Sequence, residues 1–350
     1  MRVHLYKSEQ SFSAAPDRSV LDAALDAGIA LSHSCRSGNC GACRARLVHG
    51  AVAYPQQGPP LGLSAAEISA GYILLCQARA QSELEIEIQE TRFADEAVIK
   101  RLPCRIERLE LVAHDVMAVH LRRPAAEDFK FEPGQYVDVL LAGGRRRSFS
   151  IASPPHDSRF LELHVRRVAG GAFTERVFGA DARGALLHIE GPLGRFYYRP
   201  PEHSAAPLLL IGGGTGYAPL NSILRHLVDR GVEREMSLYW GVRAERDLYA
   251  DAAIGDMLRR ARHLRYVPVL SEPSAAWSGR RGLVHEAALR DFGGRLEDLD
   301  IYASGPPAMT AAVRGEFSLR GARASRLFFD SFDYAADVLD RQRSNSASKS

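Results

Sequence analysis

A chain of 350 residues is longer than one hydrophobic core usually organises, so two or three domains are expected. Hydrophobic residues at 46% and charged residues at 25% are ordinary globular values and exclude a fibre or wholesale disorder. The formal charge of +3, from 45 basic and 42 acidic residues interspersed along the chain, gives no field that argues for a nucleic-acid or anionic-membrane partner.

Met1 to Lys7 alternates polar and apolar residues, unlike a signal peptide, and no apolar run approaches the ~20 residues that span a bilayer. A cytoplasmic location is expected. Residues 1–92 read as a small α+β unit. It has a hairpin from Val3–Tyr6 and Ser11–Ser13, a helix over Val20–Leu25 ended by Gly28, a Gly/Ser/Cys-rich loop over 32–43 and a closing strand at Leu84–Ile88, where apolar and acidic residues alternate. Thr91–Lys100 is polar and reads as a linker. Residues 99–201 carry six short strands, at 104–110, 116–122, 135–141, 147–152, 160–167 and 186–190, without long helices, the pattern of an antiparallel barrel. Pro200, Pro201 and Pro207 bracket a second linker. Residues 205–335 then alternate strands (208–211, 236–240, 266–270, 301–303) with helices (219–229, near 250–262), which predicts a parallel α/β sheet. The Ser-rich end, 337–350, is expected to be disordered.

Five cysteines include three within nine residues. Cys35, Cys40 and Cys43, with Cys76 far downstream, match the C-x4-C-x2-C…C spacing of a plant-type [2Fe–2S] cluster. Three thiolates on one tight loop can embrace one side of the cluster while the fourth arrives from elsewhere, and Gly38 and Gly41 let backbone N–H groups approach the sulfurs. A four-cysteine zinc ribbon normally shows two C-x2-C knuckles, and only one is present. A Rieske centre needs paired Cys and His ligands, and His33 has no matching second pair. Cys104, opening a predicted strand, reads as a small buried hydrophobe.

Three further signals follow. Arg145-Arg146-Arg147-Ser148-Phe149-Ser150 runs from a Gly-Gly turn into a strand, so Arg147 and Phe149 share one face, a cation suited to pyrophosphate and a ring suited to a flavin. On the other face a serine hydroxyl can reach the flavin nitrogen that receives hydride. Gly170-Gly171-Ala172-Phe173-Thr174 places glycine and hydroxyl at a helix start, an anion-binding arrangement, although a Gly-Gly pair alone is more often a turn. Gly212-Gly213-Gly214-Thr215-Gly216 joins a strand to a helix in dinucleotide fashion, without the full G-x-G-x-x-G fingerprint because Tyr217 stands at its third glycine. The next strand ends without an acidic residue and is followed by Arg243, so the residues leave NADH against NADPH open.

In this order the motifs resemble the ferredoxin reductase-type flavoproteins that carry an N-terminal plant-type ferredoxin, over about residues 1–335. Members include reductases of bacterial aromatic-ring oxygenases and of the CDP-6-deoxy-Δ3,4-glucoseen branch. The likeness to that branch is carried by Gly71–Arg79, Leu161–Arg167 and Phe328–Phe332. The resemblance implies a ubiquitin-like (β-grasp) ferredoxin domain, a six-stranded FAD-binding β-barrel and a parallel-sheet nicotinamide-binding domain. It implies that Arg147, Ser148, Phe149, Ser150, His164, Val165 and Arg166 hold FAD, with Gly171, Ala172, Phe173 and Thr174 at its pyrophosphate. Gly213, Gly214, Thr215, Gly216, Arg243, Gly305 and Pro306 would take the nicotinamide dinucleotide, NADH being favoured. Ser150, Ser304 and Phe332 would act at hydride transfer, Phe332 by covering the flavin face, although its residue type alone reads as core. The family usually has cysteine where this chain has Ser304, so an altered hydride step is expected.

The implied activity passes electrons from NAD(P)H through FAD to the [2Fe–2S] cluster and on to a protein acceptor, of sugar-dehydratase type or an oxygenase component. A non-enzymatic iron–sulfur carrier is the rival from another class, and would hold iron and sulfide without flavin. Residues 1–90 carry a net charge of −2, with Arg36, Arg44 and Arg46 flanking the cysteine loop. An acidic or apolar docking site on the acceptor is therefore expected.

Overall fold

The computed structural model describes residues 1–29, 31–33, 35–55, 58–88, 99–157, 159–200 and 204–332. Most of the predicted first linker, part of the second and the predicted disordered end lie outside these residues. The chain forms two compact units, one built on the N-terminal sheet together with Phe329–Ser331 and one containing the rest of both later sheets.

The first unit contains β1 (Arg2–Leu5), β2 (Ser11–Ser13), α1 (Val20–Asp26), β3 (Arg44–His49), β4 (Val52–Ala53), α2 (Ala65–Ser69), β5 (Tyr72–Leu74), β6 (Arg79–Ala80) and β7 (Leu84–Ile88). Its main sheet has the order β2-β1-β7-β3-β5, with β1 and β7 parallel and the other neighbours antiparallel, the expected β-grasp arrangement. Ser19 caps α1 by accepting the Asp22 N–H at 3.1 Å, and the helix buries Val20, Leu21, Ala23 and Ala24 against Val3, Leu74 and Ile86 of the sheet. The sequence reading missed β3, β5 and α2, the last announced only by its Ser64/Glu67 capping box.

In the second unit, β8 (Lys100–Ala113), β9 (Val116–Arg122), β10 (Tyr136–Leu140), β11 (Arg146–Ser150), β12 (Leu161–Arg166), α3 (Ala172–Val177) and β13 (Leu186–Leu193) form the six-stranded antiparallel sheet, in the order β11-β10-β13-β8-β9-β12. The first strand starts at Lys100, four residues before the predicted start. The terminal strands meet where Ile151 bridges Leu163 and the Ala152 N–H donates to Glu162 O at 2.7 Å. Inward residues Leu161, Leu163 and Val165 are fully buried in the barrel core.

The rest comprises β14 (Leu208–Gly213), α4 (Tyr217–Asp229), β15 (Met236–Val242), α5 (Asp251–Arg260), β16 (Leu264–Leu270), β17 (Arg280–Arg281), α6 (Val284–Phe292), β18 (Asp300–Gly305), α7 (Pro307–Leu319) and β19 (Leu327–Ser331). The sheet order is β17-β16-β15-β14-β18-β19. From β14 to β17 the chain moves one way across the sheet, and β18 returns to the other side of β14, so the strand order reverses between β14 and β18. β14 is buried along its whole length, as befits a parallel strand covered on both faces. Two buried polar residues of α4 are satisfied by the barrel, Asn221 donating to Ala152 O at 3.0 Å and Ser222 to Ser153 O at 2.7 Å.

Candidate functional site

The cysteine loop owes its shape to residues in the left-handed region, Arg36 at φ 54°, Gly38 at 81° and Gly41 at 78°. Gly62, which no spacing flagged, locks it from outside. Its N–H donates to Gly38 O at 2.8 Å, and a Cβ there would lie 2.7 Å from Gly38 O and 2.9 Å from Gly41 N. Backbone N–H groups face the sulfurs. Those of Cys35 and Cys40 donate to each other's Sγ at 3.5 and 3.3 Å, Ala42 donates to Cys40 Sγ at 3.4 Å, and Cys76 to Cys43 Sγ at 3.5 Å.

The sulfurs thus fall into two couples, Cys35 with Cys40 and Cys43 with Cys76. A single zinc ion with Zn–S bonds of about 2.3 Å would draw all four to within ~3.8 Å of one another. Among the described residues no three of these sulfurs lie mutually within 4.8 Å, and the one group that does is His114, Asp115 and Asp247. Two couples fit two metal atoms. A hydrogen bond from Cys40 draws the Cys35 thiol down to about 5 against the pull of burial. Cys40 and Cys76 are pushed up, by the hydrogen bonds they share with Cys35 and Cys43 and by burial. Cys40 and Cys76 thus resist ionisation in the bare protein, a resistance that a bound cationic centre would relieve.

His33 is buried and committed to the loop, its Nδ1 donating to Leu31 O at 2.8 Å and its Nε2 facing Arg36 Nη2 at 3.2 Å. Of the flanking arginines, Arg44 pairs with Glu67 and lies over the Tyr72 ring, and Arg46 lies 3.6 Å from Glu87. Two of the three arginines of the expected basic rim are thus answered by carboxylates, while Arg36 faces His33 and Leu61, beside Gly62, is 62% exposed.

On the barrel, β11 and β12 part beyond the Ile151–Leu163 bridge, so Arg147–Ser150 and His164–Arg166 border one gap in the sheet. Phe149 packs on Phe173 with centroids 5.0 Å apart, which joins the two predicted flavin motifs. Several side chains are already engaged. Ser148 donates to Asp138 at 2.6 Å, and Arg146 pairs with Glu190. The Thr174 hydroxyl bonds within its own loop, donating to Val168 O at 3.0 Å and accepting the Val168 N–H at 3.2 Å. Gly171 must be glycine, because a Cβ would lie 2.6 Å from Thr174 Oγ1. Val165 and Phe173 point into the core, and both ring nitrogens of His164 have protein partners, so these three can meet a flavin only through their backbone. Ser150 is buried at the end of β11.

At the reversal point the turns after β14 and β18 pack backbone to backbone. A Cβ on Gly216 would collide with Ser304 O, and one on Gly213 would lie 2.8 Å from Pro306 Cδ and Met309 Sδ. Gly305 has φ 149°, and a Cβ there would lie 3.0 Å from three backbone atoms of Gly213. These glycines let the two turns pack closely at the carboxyl ends of the parallel strands, the place where a dinucleotide site of such a sheet lies. Thr215 is partly exposed in the first turn, and Phe332 donates its N–H to Gly305 O at 2.9 Å. The Ser304 hydroxyl is fully buried and, among the described residues, has no hydrogen-bond partner. It reaches a ligand only if the two turns part. Arg243 is exposed just past the tip of β15.

Among the described residues no helix is long and apolar enough to cross a membrane. Three families match the chain in order, the 2Fe-2S iron-sulfur cluster binding domain over residues 3–81, the oxidoreductase FAD-binding domain over 103–198 and the oxidoreductase NAD-binding domain over 210–315. The chain is 33% identical to the CDP-6-deoxy-L-threo-D-glycero-4-hexulose-3-dehydrase reductase of Yersinia pseudotuberculosis, over 95% of this chain and 98% of that one. It is 37% identical to terephthalate 1,2-dioxygenase reductase component 2 of Comamonas, over 97% of each. The solved cytochrome P450 reductase of Amycolatopsis superposes with a TM-score of 0.72 at 34% identity, over 95% of this chain and 98% of that one. The chain belongs to the ferredoxin reductase-type iron–sulfur flavoproteins, and it is an NAD(P)H-dependent electron-transfer oxidoreductase using FAD and a [2Fe–2S] cluster.

Proposed function

We propose that the chain takes electrons from NADH and delivers them to a partner protein, either the dehydratase of a nucleotide-linked sugar or the terminal component of an oxygenase. When bound, FAD supplies the conversion between the two electrons of a nicotinamide and the single electrons an iron–sulfur centre accepts. The sulfur couples Cys35/Cys40 and Cys43/Cys76 would each hold one iron, with the N–H groups of Cys35, Cys40, Ala42 and Cys76 lowering the charge on sulfur. Arg147 would hold the flavin pyrophosphate with the backbone of Gly171–Thr174, and Phe149 and Ser150 would border the ring. Gly213–Gly216 with Gly305 and Pro306 would seat the dinucleotide, and Phe332, tied to Gly305, would cover the flavin face. Ser304 would act from beneath the turns.

The observation carrying this reading is the backbone-to-backbone packing of Gly213 and Gly216 against Ser304 and Gly305 at the reversal point, in the same compact unit as the open edge of the barrel. The paired arginines and exposed Leu61 favour an acceptor face that is apolar and of low charge. Anaerobic mixing of the reconstituted protein with NADH should bleach the flavin and cluster absorbance. Absence of bleaching with either NADH or NADPH overturns the reading. Preference for NADPH, abolished by Arg243→Ala, would instead assign Arg243 to a ribose 2′-phosphate.

A further inference from the structure

On a free barrel the outer face of β12 would look into water. Its residues are Glu162, His164 and Arg166, alternating with the fully buried Leu161, Leu163 and Val165. In this unit all three are met by helices, loops and turns of the nucleotide-binding region, Arg166 being paired as well with Asp115 of the barrel at 3.1 Å. Glu162 accepts from Arg225 of α4 at 3.0 Å. His164 Nε2 lies 2.9 Å from Glu162 Oε1 and His164 Nδ1 lies 3.1 Å from the hydroxyl of Tyr249, the residue before the α5 cap. The Arg166 guanidinium lies against the dinucleotide turn, so that a Cβ on Gly214 would sit 2.9 Å from Arg166 Nη1.

The contact continues inward. The His164 ring is stacked toward Tyr217, centroids 6.2 Å apart and planes 18° apart, and Tyr217 stacks on Trp240 at 4.6 Å. Tyr249 meets both Tyr217 and Trp240 edge-on. The Trp240 indole N–H donates to Gly214 O at 2.9 Å, and Gly214 has φ 55°. A continuous set of rings and hydrogen bonds thus runs from a flavin-barrel strand to the carbonyl that shapes the dinucleotide turn. The arrangement closes when Tyr249 donates to Nδ1 and Nε2–H donates to Glu162. Burial pushes the Tyr249 hydroxyl well above its usual range, so it remains a donor.

The geometry points to His164, with Tyr249, as a positioning residue for hydride transfer: its side chain does not hold the flavin but fixes the Gly214–Gly216 turn relative to the barrel. This rests on the reading of that turn as the dinucleotide seat. A near-attack distance is sensitive to such a joint, since a displacement of about 1 Å costs on the order of 100-fold in rate.

The test uses the full chain loaded with FAD and cluster, as Tyr249→Phe, which keeps the ring packing, and as His164→Gln, which keeps one donor toward Glu162. Both should slow flavin reduction by NADH about 10–100-fold, and both should raise amide hydrogen exchange selectively in the peptide containing Gly212–Ala218, with flavin content and melting temperature near wild type. Rates within about twofold of wild type together with unchanged exchange in that peptide overturn the assignment. So does exchange rising across the whole barrel with loss of flavin, which marks a structural staple. If the wild-type protein is not reduced by NADH or NADPH, the functional reading fails by itself, while the exchange comparison still decides whether His164 and Tyr249 govern the turn.

Discussion

At the cysteine site, backbone N–H groups of the loop and of Cys76 donate to the sulfurs of Cys35, Cys40 and Cys43. On the outer face of β12, Glu162 and His164 are committed to protein partners and Arg166 lies against a glycine turn. Both are polar clusters in an apolar setting, the cysteines read as ligands from their spacing and His164 and Arg166 expected at the flavin from a family resemblance. The difference shows that spacing announces a ligand set when the ligands answer to a metal. An alternating polar face says only that something polar lies opposite, whether water, a cofactor or a second domain.

The comparison can be broken most decisively at the loop. Cys76→Ala should reduce bound iron from about two per chain to near zero, since a [2Fe–2S] centre needs all four ligands. Flavin content should persist because the barrel is a separate packed core. Iron and sulfide assay beside the flavin spectrum checks both, and retained iron would mean that another residue ligates. Next in size is Gly216→Ala. Its Cβ would collide with Ser304 O, so the turn must shift, at a cost of about 1–3 kcal/mol from overpacking. NADH-dependent flavin reduction should fall about 100-fold while dithionite still reduces the flavin. An unimpaired rate would show that the crowded turns do not seat the dinucleotide.

A pH experiment sharpens the seam. Burial pushes the Glu162 carboxyl up, but its hydrogen bond to His164 and the nearby Arg225 guanidinium outweigh it and hold the group at about 2. Its folded value is thus below the unfolded value of about 4.3. The stabilisation is complete above that pH and is lost as the pH falls through the folded value, and it amounts to at most roughly 3 kcal/mol. The difference in denaturation midpoint between wild type and Glu162→Gln should therefore be constant from neutrality to about pH 5 and shrink on further acidification. A constant difference down to pH 3 would show the carboxylate is not held by this network.

The smallest effect is expected at Ser304. Its hydroxyl is buried and, among the described residues, has no partner, so Ser304→Ala should leave stability unchanged or raise it by about 1 kcal/mol. Ser304→Cys should alter the flavin-reduction rate only a few-fold, by its effect on the packing of the turns. Stopped-flow rates identical to wild type would remove Ser304 from the hydride step.

The cysteine spacing, the six barrel strands and the alternation of the parallel sheet were legible because each is a local pattern: ligand intervals, period two between turns, strand then helix. What was not legible depends on distant approach. Gly62 is critical to the loop only because Gly38 and Gly41 fold onto it, and nothing in Pro60-Leu61-Gly62 foretells that. The pairing of two rim arginines could not be foreseen because Glu67 and Glu87 lie 23 and 41 residues beyond Arg44 and Arg46 in sequence. Thr174 and Ser148 carry hydroxyls suited to a cofactor, yet each finds a nearer partner in the protein. His164 was placed at the cofactor by its motif, whereas its partner Tyr249 lies 85 residues away.

The ion pairs of Arg44 with Glu67 and Arg46 with Glu87 also bear on kinetics. With two of the three flanking cations already answered, the surface around the cysteine loop projects only a weak field beyond a Debye length of about 8 Å at physiological salt. An electron acceptor would meet it by unsteered diffusion, at rate constants nearer 10⁵–10⁶ than 10⁸–10⁹ M⁻¹s⁻¹ as orders of magnitude, and nearly flat across ionic strength. Productive encounters would then be selected by the fit of apolar surface near Leu61 after contact, so discrimination among acceptors would appear in how long a complex survives and not in how often one forms.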